Sequence, residues 1–341
     1  MTQPSERGYL LAGDIGGTKT TLALYDAQEG LRSSLAETTV QNKTVTSLEK
    51  IIEPFLRQQK VKPDFACFGV AGPVAGNRVQ MTNLDWTMDG FALQQQFNMK
   101  SVTLINDLVA TGMGAVILPD ECFHTINTGR PDNEGAIAII APGTGLGEAF
   151  VVRNRNSILP FPSEGGHCSF APVNSLQTRL LVFMFNRQDH VSTEHVCSGM
   201  GIPNLYDFLL SEQGGQNKIK KLPAAGDRTK AIVQTALAAE PQDPGNRVVM
   251  ETLELFVAIL ASEAANLTLK VLGTGGLYIG GGIPPRILPF LQRDVFMQDF
   301  CKGVYRDMLA EIPVRVILEP KTALIGAAAY ALAANLPGDM P

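Results

Sequence analysis

Apolar positions in this chain fall into short unbroken runs, and several of the segments between them carry polar residues at helical spacing. Residues 9–14 and 20–25 flank the tight turn Ile15-Gly16-Gly17-Thr18-Lys19 and predict a pair of strands. A polar, periodic stretch over 45–59 predicts a helix. Phe65-Ala66-Cys67-Phe68-Gly69-Val70 has the uniformly apolar pattern of a strand covered on both faces. Residues 89–97 predict a helix, 102–105 a strand ending at Asn106-Asp107, and 108–117 a helix capped by that pair. Strands and helices alternating at these lengths predict an α/β architecture with a mixed or parallel sheet.

The pattern restarts after the turn-rich segment 129–135. Residues 136–141 predict an apolar strand, Pro142-Gly143-Thr144-Gly145-Leu146-Gly147 a glycine-rich turn, and 148–153 a second strand. GDIGGTKTTLAL and APGTGLGEAFVV thus share one plan of strand, Gly/Thr turn and strand, which hints at two halves of like topology. Helices are expected over 174–186, 202–211, 228–238 and 247–272. A strand at 276–279 runs into Gly280-Gly281-Gly282, and an Ala-rich helix covers 324–334. The expected division is a smaller domain, 1–130 with the C-terminal helix 321–341, and a larger one, 131–320.

Composition narrows the class. Of 341 residues 45% are hydrophobic and 18% charged, enough apolar surface to offset the entropy of ordering, so disorder is excluded. A net charge of −5 gives no bulk electrostatic drive toward nucleic acid or an anionic membrane. Cys67, Cys122, Cys168, Cys197 and Cys301 are widely spaced and form no C-x-x-C, which reads as small apolar side chains in a reducing cytosol. Only Tyr9 to Ala12 are apolar near the start, and the longest apolar run of the 247–272 helix is 255–261. No signal peptide or membrane span is therefore expected, and the expected location is cytoplasmic. The 33 glycines are in excess of the usual ~7% and show no Gly-X-Y period.

Three glycine turns follow apolar strands. At Asp14-Ile15-Gly16-Gly17-Thr18-Lys19, backbone N–H groups can approach a polyphosphate with no Cβ in the way. Thr18 adds a hydroxyl, Lys19 a charge, and Asp14 is placed to hold Mg²⁺ through water. An ordinary hairpin accounts for two adjacent glycines equally well. The turn Gly143-Thr144-Gly145-Leu146-Gly147 could close on the same nucleotide, and Gly280-Gly281-Gly282, before Pro284-Pro285, could admit a flat ring. None fits G-x-x-x-x-G-K-[ST] or G-x-G-x-x-G, so P-loop and Rossmann readings fail on spacing. Asn106-Asp107 lies where a catalytic carboxylate sits in an open α/β sheet, and where a helix cap also sits. Ser163-Glu164-Gly165-Gly166-His167 and Glu194-His195 concentrate polar groups that could bind sugar hydroxyls or simply decorate the surface. His167 beside Cys168 has no further ligand at metal spacing, so no cluster of protein ligands for a metal is expected.

In order along the chain stand DIGGTKT (14–20), AGPVAGNRVQMTNLDW (71–86), LINDLVATGMG (104–114), APGTGLGEA (141–149), SEGGH (163–167), EHVCSGMGI (194–202) and YIGGGIPPRIL (278–288). This series resembles the bacterial glucokinase family of the hexokinase/actin-like ATPase superfamily over nearly the whole chain. The resemblance implies a two-domain actin-like ATPase (ribonuclease H-like) fold with an interdomain cleft. It implies ATP-dependent phosphorylation of glucose at the 6-hydroxyl with Mg²⁺, by a homodimer with no nucleic-acid or membrane partner. Gly16, Gly17 and Thr18 would form the first phosphate loop beside Asp14 and Lys19, Thr144 and Gly145 would belong to the second, and Gly281 and Gly282 would border the adenine. Asp107 matches the catalytic base, and Asn106, Glu164, His167 and Glu194 match glucose hydroxyl ligands, with Asn83 in the substrate-side MTNLDW segment. The chain departs at Lys19, where the family commonly has Asn; a lysine there reaches a phosphate or points to solvent. It lacks the Cys-rich zinc motif of the related repressor–kinase family, and no N-terminal DNA-binding extension is expected, as Asp14 lies close to the start. A kinase of another hexose and a non-catalytic sugar-sensing regulator are the alternatives left open.

Overall fold

The computed structural model describes residues 8–81, 84–154, 157–213, 227–240 and 246–335. They fall into two compact units, Met1–Asp120 with Ile158–Pro162 and Glu319–Pro341, and Glu121–Ser157 with Ser163–Leu318. In the first unit β1 (Tyr9–Ile15) and β2 (Lys19–Asp26) form an antiparallel hairpin, and β3 (Ala36–Gln41) extends it beyond β2. After α1 (Glu49–Gln59), β4 (Phe65–Val70) lies parallel to β1 on the other side. A short ribbon, β5 (Arg78–Gln80) and β6 (Thr87–Asp89), leads into α2 (Gly90–Phe97), whose first amides donate to the Asp89 carboxylate. Then β7 (Ser101–Asn106) pairs parallel to β4 and α3 (Asp107–Ala115) follows at once. The sheet order is β3-β2-β1-β4-β7.

Both faces of this sheet are covered, which is why β4 is apolar at every position. Leu11, Ile15, Leu22 and Phe68 pack on one side with Ile51, Ile52 and Phe55 of α1. Leu10, Ala12, Ala23 and Cys67 pack on the other with Val109, Ala110 and Met113 of α3. The expected helix over 45–59 begins only at Glu49. The residues just before it are used elsewhere: Asn42 N–H donates to Thr18 O at 2.9 Å and Val45 N–H to Asn42 O at 3.1 Å.

The second unit repeats the plan. It opens with β8 (Phe123–Asn127), then the hairpin β9 (Ile137–Pro142) and β10 (Leu146–Asn154); β11 (Ser157–Ser163) joins the same sheet, although its middle, Ile158–Pro162, is grouped with the first unit. The helices α4 (Ser175–Phe185), α5 (Gly201–Glu212), α6 (Arg228–Leu237) and α7 (Arg247–Val271) follow. Next come β12 (Gly276–Ile279), the short helices α8 (Leu288–Leu291), α9 (Asp294–Phe300) and α10 (Arg306–Ala310), and β13 (Val314–Ile317). The order is β11-β10-β9-β12-β13-β8, with β12 parallel to both β9 and β13. Apart from β8 at one edge, this is strand for strand the order of the first sheet. Because β8 pairs with β13, the second unit begins ahead of the 129–135 turn.

Leu253, Phe256, Leu260 and Ala264 of α7 are fully buried at the centre of this unit, so its apolar character serves a protein core. Among the described residues no helix is long and apolar enough to cross a membrane. The chain finally returns to the first unit as α11 (Thr322–Asn335), which lies against α3. A methyl on Gly114 would collide with the Thr322 carbonyl, and one on Gly326 with the Ala110 carbonyl, so glycines let the two backbones meet.

Candidate active site

In the first unit the carboxyl ends of the parallel strands β1, β4 and β7 form one rim. Asp14 is in register with Gly69 of β4, and Gly69 with Ile105 of β7, so Asp14 and the Asn106-Asp107 pair stand two strands apart. That is about 10 Å along the rim at the usual strand spacing. Gly69 keeps the middle of the rim low: a methyl there would lie 2.9 Å from Ala110 Cβ.

The first glycine turn is tied from outside the hairpin. Gly16 N–H donates to Lys19 O at 3.1 Å, so its own amide is already used and it contributes shape. Asn42, after β3, donates from Nδ2 to Gly16 O at 2.8 Å and accepts from Thr20 Oγ1 at 2.8 Å in the interior. With its backbone bond to Thr18, Asn42 holds the turn at three points. Gly17 is half-buried, and Thr18 and Lys19 are exposed. Burial pushes the Asp14 carboxyl above its ordinary range, with Lys19 acting in the opposite direction.

At the head of α3, Asn106 is the N-cap. Its Oδ1 accepts from Leu108 N–H at 2.9 Å and Val109 N–H at 3.4 Å, and its Nδ2 donates to Gly72 O at 3.3 Å. Asp107 is half-buried and also accepts from Leu108 N–H, at 2.9 Å. A carboxylate in a helix's first turn is stabilised by the positive end of its dipole. Asn83 lies outside the described residues.

In the second unit the hairpin turn Gly143-Thr144-Gly145 and the Gly280-Gly281-Gly282 turn neighbour each other, because β9 and β12 are adjacent and parallel. Gly280 N–H donates to Ile140 O at 2.8 Å, and Gly281 has a φ of +83°, with Pro142 O where a methyl would go. A residue with a Cβ is excluded there on both counts. Gly199 N–H donates to Gly143 O at 2.8 Å and Met200 N–H to Thr144 O at 3.2 Å, which ties the hairpin turn to the approach of α5.

The three polar residues expected on the sugar side in this unit come together. His167 Nε2 is 3.8 Å from Glu164 Oε2, and His167 Nδ1 is 4.0 Å from Glu194 Oε1. Glu164 and His167 are well exposed, whereas Glu194 is mostly covered and fixed: its Oε2 accepts from Leu146 N–H at 2.8 Å. The same oxygen fills the space that a side chain at Gly145 would need. Glu194 therefore joins the polar cluster to the second glycine turn. Thr193 N–H bonds Cys168 O at 2.9 Å and Ser198 Oγ bonds Glu194 O at 2.7 Å, so both segments carrying the cluster are anchored. Sequence reading missed Asn42 and Glu148, the latter a buried acid beneath Gly165. A polar residue alternating with apolar ones in an otherwise buried strand was the available signal for Glu148. Among the described residues no group of three His, Cys, Asp or Glu is arranged to hold a metal ion.

A strand order used twice, with glycine turns at the strand ends, is the plan of the actin-like ATPase fold, which is shared by sugar kinases. The glucokinase from an Antarctic psychrotroph superposes with a TM-score of 0.82 at 33% identity, covering 95% of this chain and 99% of that one. A glucokinase of the ROK family from Streptomyces griseus, solved with glucose and AMPPNP, shares the fold with a TM-score of 0.65 at 19% identity, covering 96% and 100%. The glucokinase of Nostoc punctiforme is 40% identical over 333 residues, 94% of this chain and 97% of that protein. The chain belongs to the glucokinase family, whose pattern matches residues 11–334.

Proposed function

We propose that this protein transfers the γ-phosphoryl group of ATP to the 6-hydroxyl of glucose. The observation that carries the reading is the convergence of Glu164, His167 and Glu194, with Glu194 locked onto the glycine turn at 143–145. Two carboxylates and an imidazole offer both acceptors and a donor, which is what several adjacent hydroxyls require, and Glu194 among them is held in a fixed direction. Asn106 is read as a further hydroxyl ligand through what its capping role leaves over, and Asn83 as a substrate-side residue. The names of the relatives, and the glucose and AMPPNP in the Streptomyces structure, support the same substrates here.

Gly17 and Thr18 on one turn, and Thr144 and Gly145 on the other, are read as phosphate contacts, with Lys19 free to swing toward them. Gly281 and Gly282 are read as bordering the adenine, and at Gly282 the space that a side chain would take is open. Mg²⁺ fits Asp14: it takes oxygen ligands, keeps several waters, and offsets the cost of a buried carboxylate. When bound, it would neutralise phosphate charge. Asp107 takes the proton of the 6-hydroxyl as that oxygen meets the phosphoryl group. Phosphoryl transfer passes through a loose transition state, so an acid of ordinary basicity suffices once it is positioned. The family resemblance adds a cytoplasmic homodimer to this reading.

A coupled assay of ADP release tests it, with glucose, fructose, mannose and N-acetylglucosamine crossed against ATP, ADP and polyphosphate. The expected result is turnover of glucose with ATP above every other pair. Absence of turnover throughout overturns the reading, and hexose binding without product would make the protein a sensor.

A further inference from the structure

Glu148 is an acid in a place that ordinarily takes an apolar side chain. It lies on β10 opposite Ile140 of β9, is 2% exposed, and its Oε1 has no hydrogen-bond partner among the described residues. Along β10 it shares a face with Leu146, two residues earlier. The Gly165-Gly166 pair lies directly on that face. A methyl on Gly166 would collide with the Leu146 carbonyl. One on Gly165 would collide with Glu148 Oε2 and stand 2.7 Å from the carboxyl carbon. The segment resting on these two residues is the turn that presents Glu164 and His167, closed by His167 N–H to Glu164 O at 3.0 Å and Cys168 N–H to Gly165 O at 2.9 Å. Leu146 itself binds Glu194 through its N–H. One stretch of β10 thus supports all three polar groups of the sugar side.

We propose that Glu148 is a positioning residue for the hexose: its buried carboxyl sets the height of the Glu164–His167 turn over β10 and so tunes sugar affinity without touching the sugar. This rests on the reading of Glu164 and His167 as hexose ligands. The charged and titratable groups around it are Glu263 and Lys270 of α7 and the buried Cys197. Burial, and then the negative charge of Glu263, push the Glu148 carboxyl up to about 7, with Lys270 opposing them. Glu263 is itself held by Asn266 Nδ2 at 2.9 Å and Lys270 Nζ at 3.7 Å. Below that pH the carboxyl is neutral and packs under Gly165. Above it, a desolvated negative charge stands beneath the turn and near a second one. Loss of the proton therefore weakens sugar binding.

The test is glucose KM and kcat for wild type, Glu148→Gln, Glu148→Ala and Glu164→Gln, from about pH 6 to about pH 9, with glucose affinity checked by calorimetry on the full chain. Wild type should show a glucose KM that rises roughly three- to tenfold across this range, and Glu148→Gln should abolish most of that rise. Glu148→Ala should raise KM about tenfold at pH 6 while kcat falls less than threefold. An unchanged pH profile in Glu148→Gln overturns the proposal even if Glu148→Ala fails to fold, as does an unchanged KM in Glu148→Ala. If Glu164→Gln leaves KM unaltered, the sugar-site reading fails first. If it raises KM while the Glu148 variants stay at wild-type values, only the role of Glu148 fails.

Discussion

Asp107 and Gly145 show how much single residues carry. Asp107→Asn keeps the size and the first-turn position of the side chain but cannot accept a proton. Turnover should fall by about 10²–10⁴ with glucose affinity nearly unchanged. Steady-state kinetics with calorimetry decide this, and near-normal kcat would remove Asp107 from the mechanism. Gly145→Ala acts differently, because the new methyl must displace the Glu194 carboxylate and break its bond from Leu146 N–H. Glucose KM should rise roughly tenfold or more, the cost of losing a charge-assisted hydrogen bond and misplacing one ligand. An unaltered KM would detach Glu194 from the sugar. Both residues stand out in the sequence because each sits in a compact motif. Glu148 and Asn42 do not, since their work is done on segments 17 and 26 positions away, respectively, and only burial reveals it.

At the scale of elements, the hydrophobic pattern announced β1, β2, β4, β7, β9, β10 and β12, and among them β4 and β9 are apolar nearly throughout because both faces are covered. The strands it did not announce include β3 and β11, whose positions alternate half-buried and exposed, and β13, which has only four residues. The paired hairpins hinted at two halves of like topology, and β1-β2 and β9-β10 hold corresponding places in the two strand orders. Asn42, just beyond β3, is where the first glycine turn is fastened. Asn42→Ala should raise the KM for ATP about five- to twentyfold and lower stability by roughly 1–3 kcal/mol, because Thr20 Oγ1 is left buried without its partner. A variant with lower stability and an unchanged KM for ATP would reduce Asn42 to a structural role. The α3–α11 contact makes the complementary case. Gly326→Ala should cost about 1–3 kcal/mol by forcing the helices apart, and should shift the α3 N-terminus that carries Asp107. Denaturant unfolding measures the first effect, and kcat the second.

For the whole molecule, stability is where the buried acid of the second unit is felt apart from catalysis. The folded state holds the Glu148 proton up to about pH 7, while an unfolded chain releases it near 4.5. Between these limits the native state binds the extra proton. The associated stability is fully present below about 4.5 and is lost as pH rises through about 7. The difference amounts to on the order of 3 kcal/mol at pH 8. Most paired surface carboxylates act in the opposite sense, so wild type alone would show a blend of the two. Glu148→Gln separates them, since the amide keeps the shape and has no proton to lose. Relative to wild type, its Tm should be higher by several degrees at about pH 8, with the advantage shrinking steadily toward about pH 5. A gap that stays constant over that range would mean that the Glu148 carboxyl is already charged in the folded protein from about pH 5 upward, as it is in the unfolded chain. Calorimetric scans of the two proteins at matched ionic strength make the measurement, and the sign of the slope decides it.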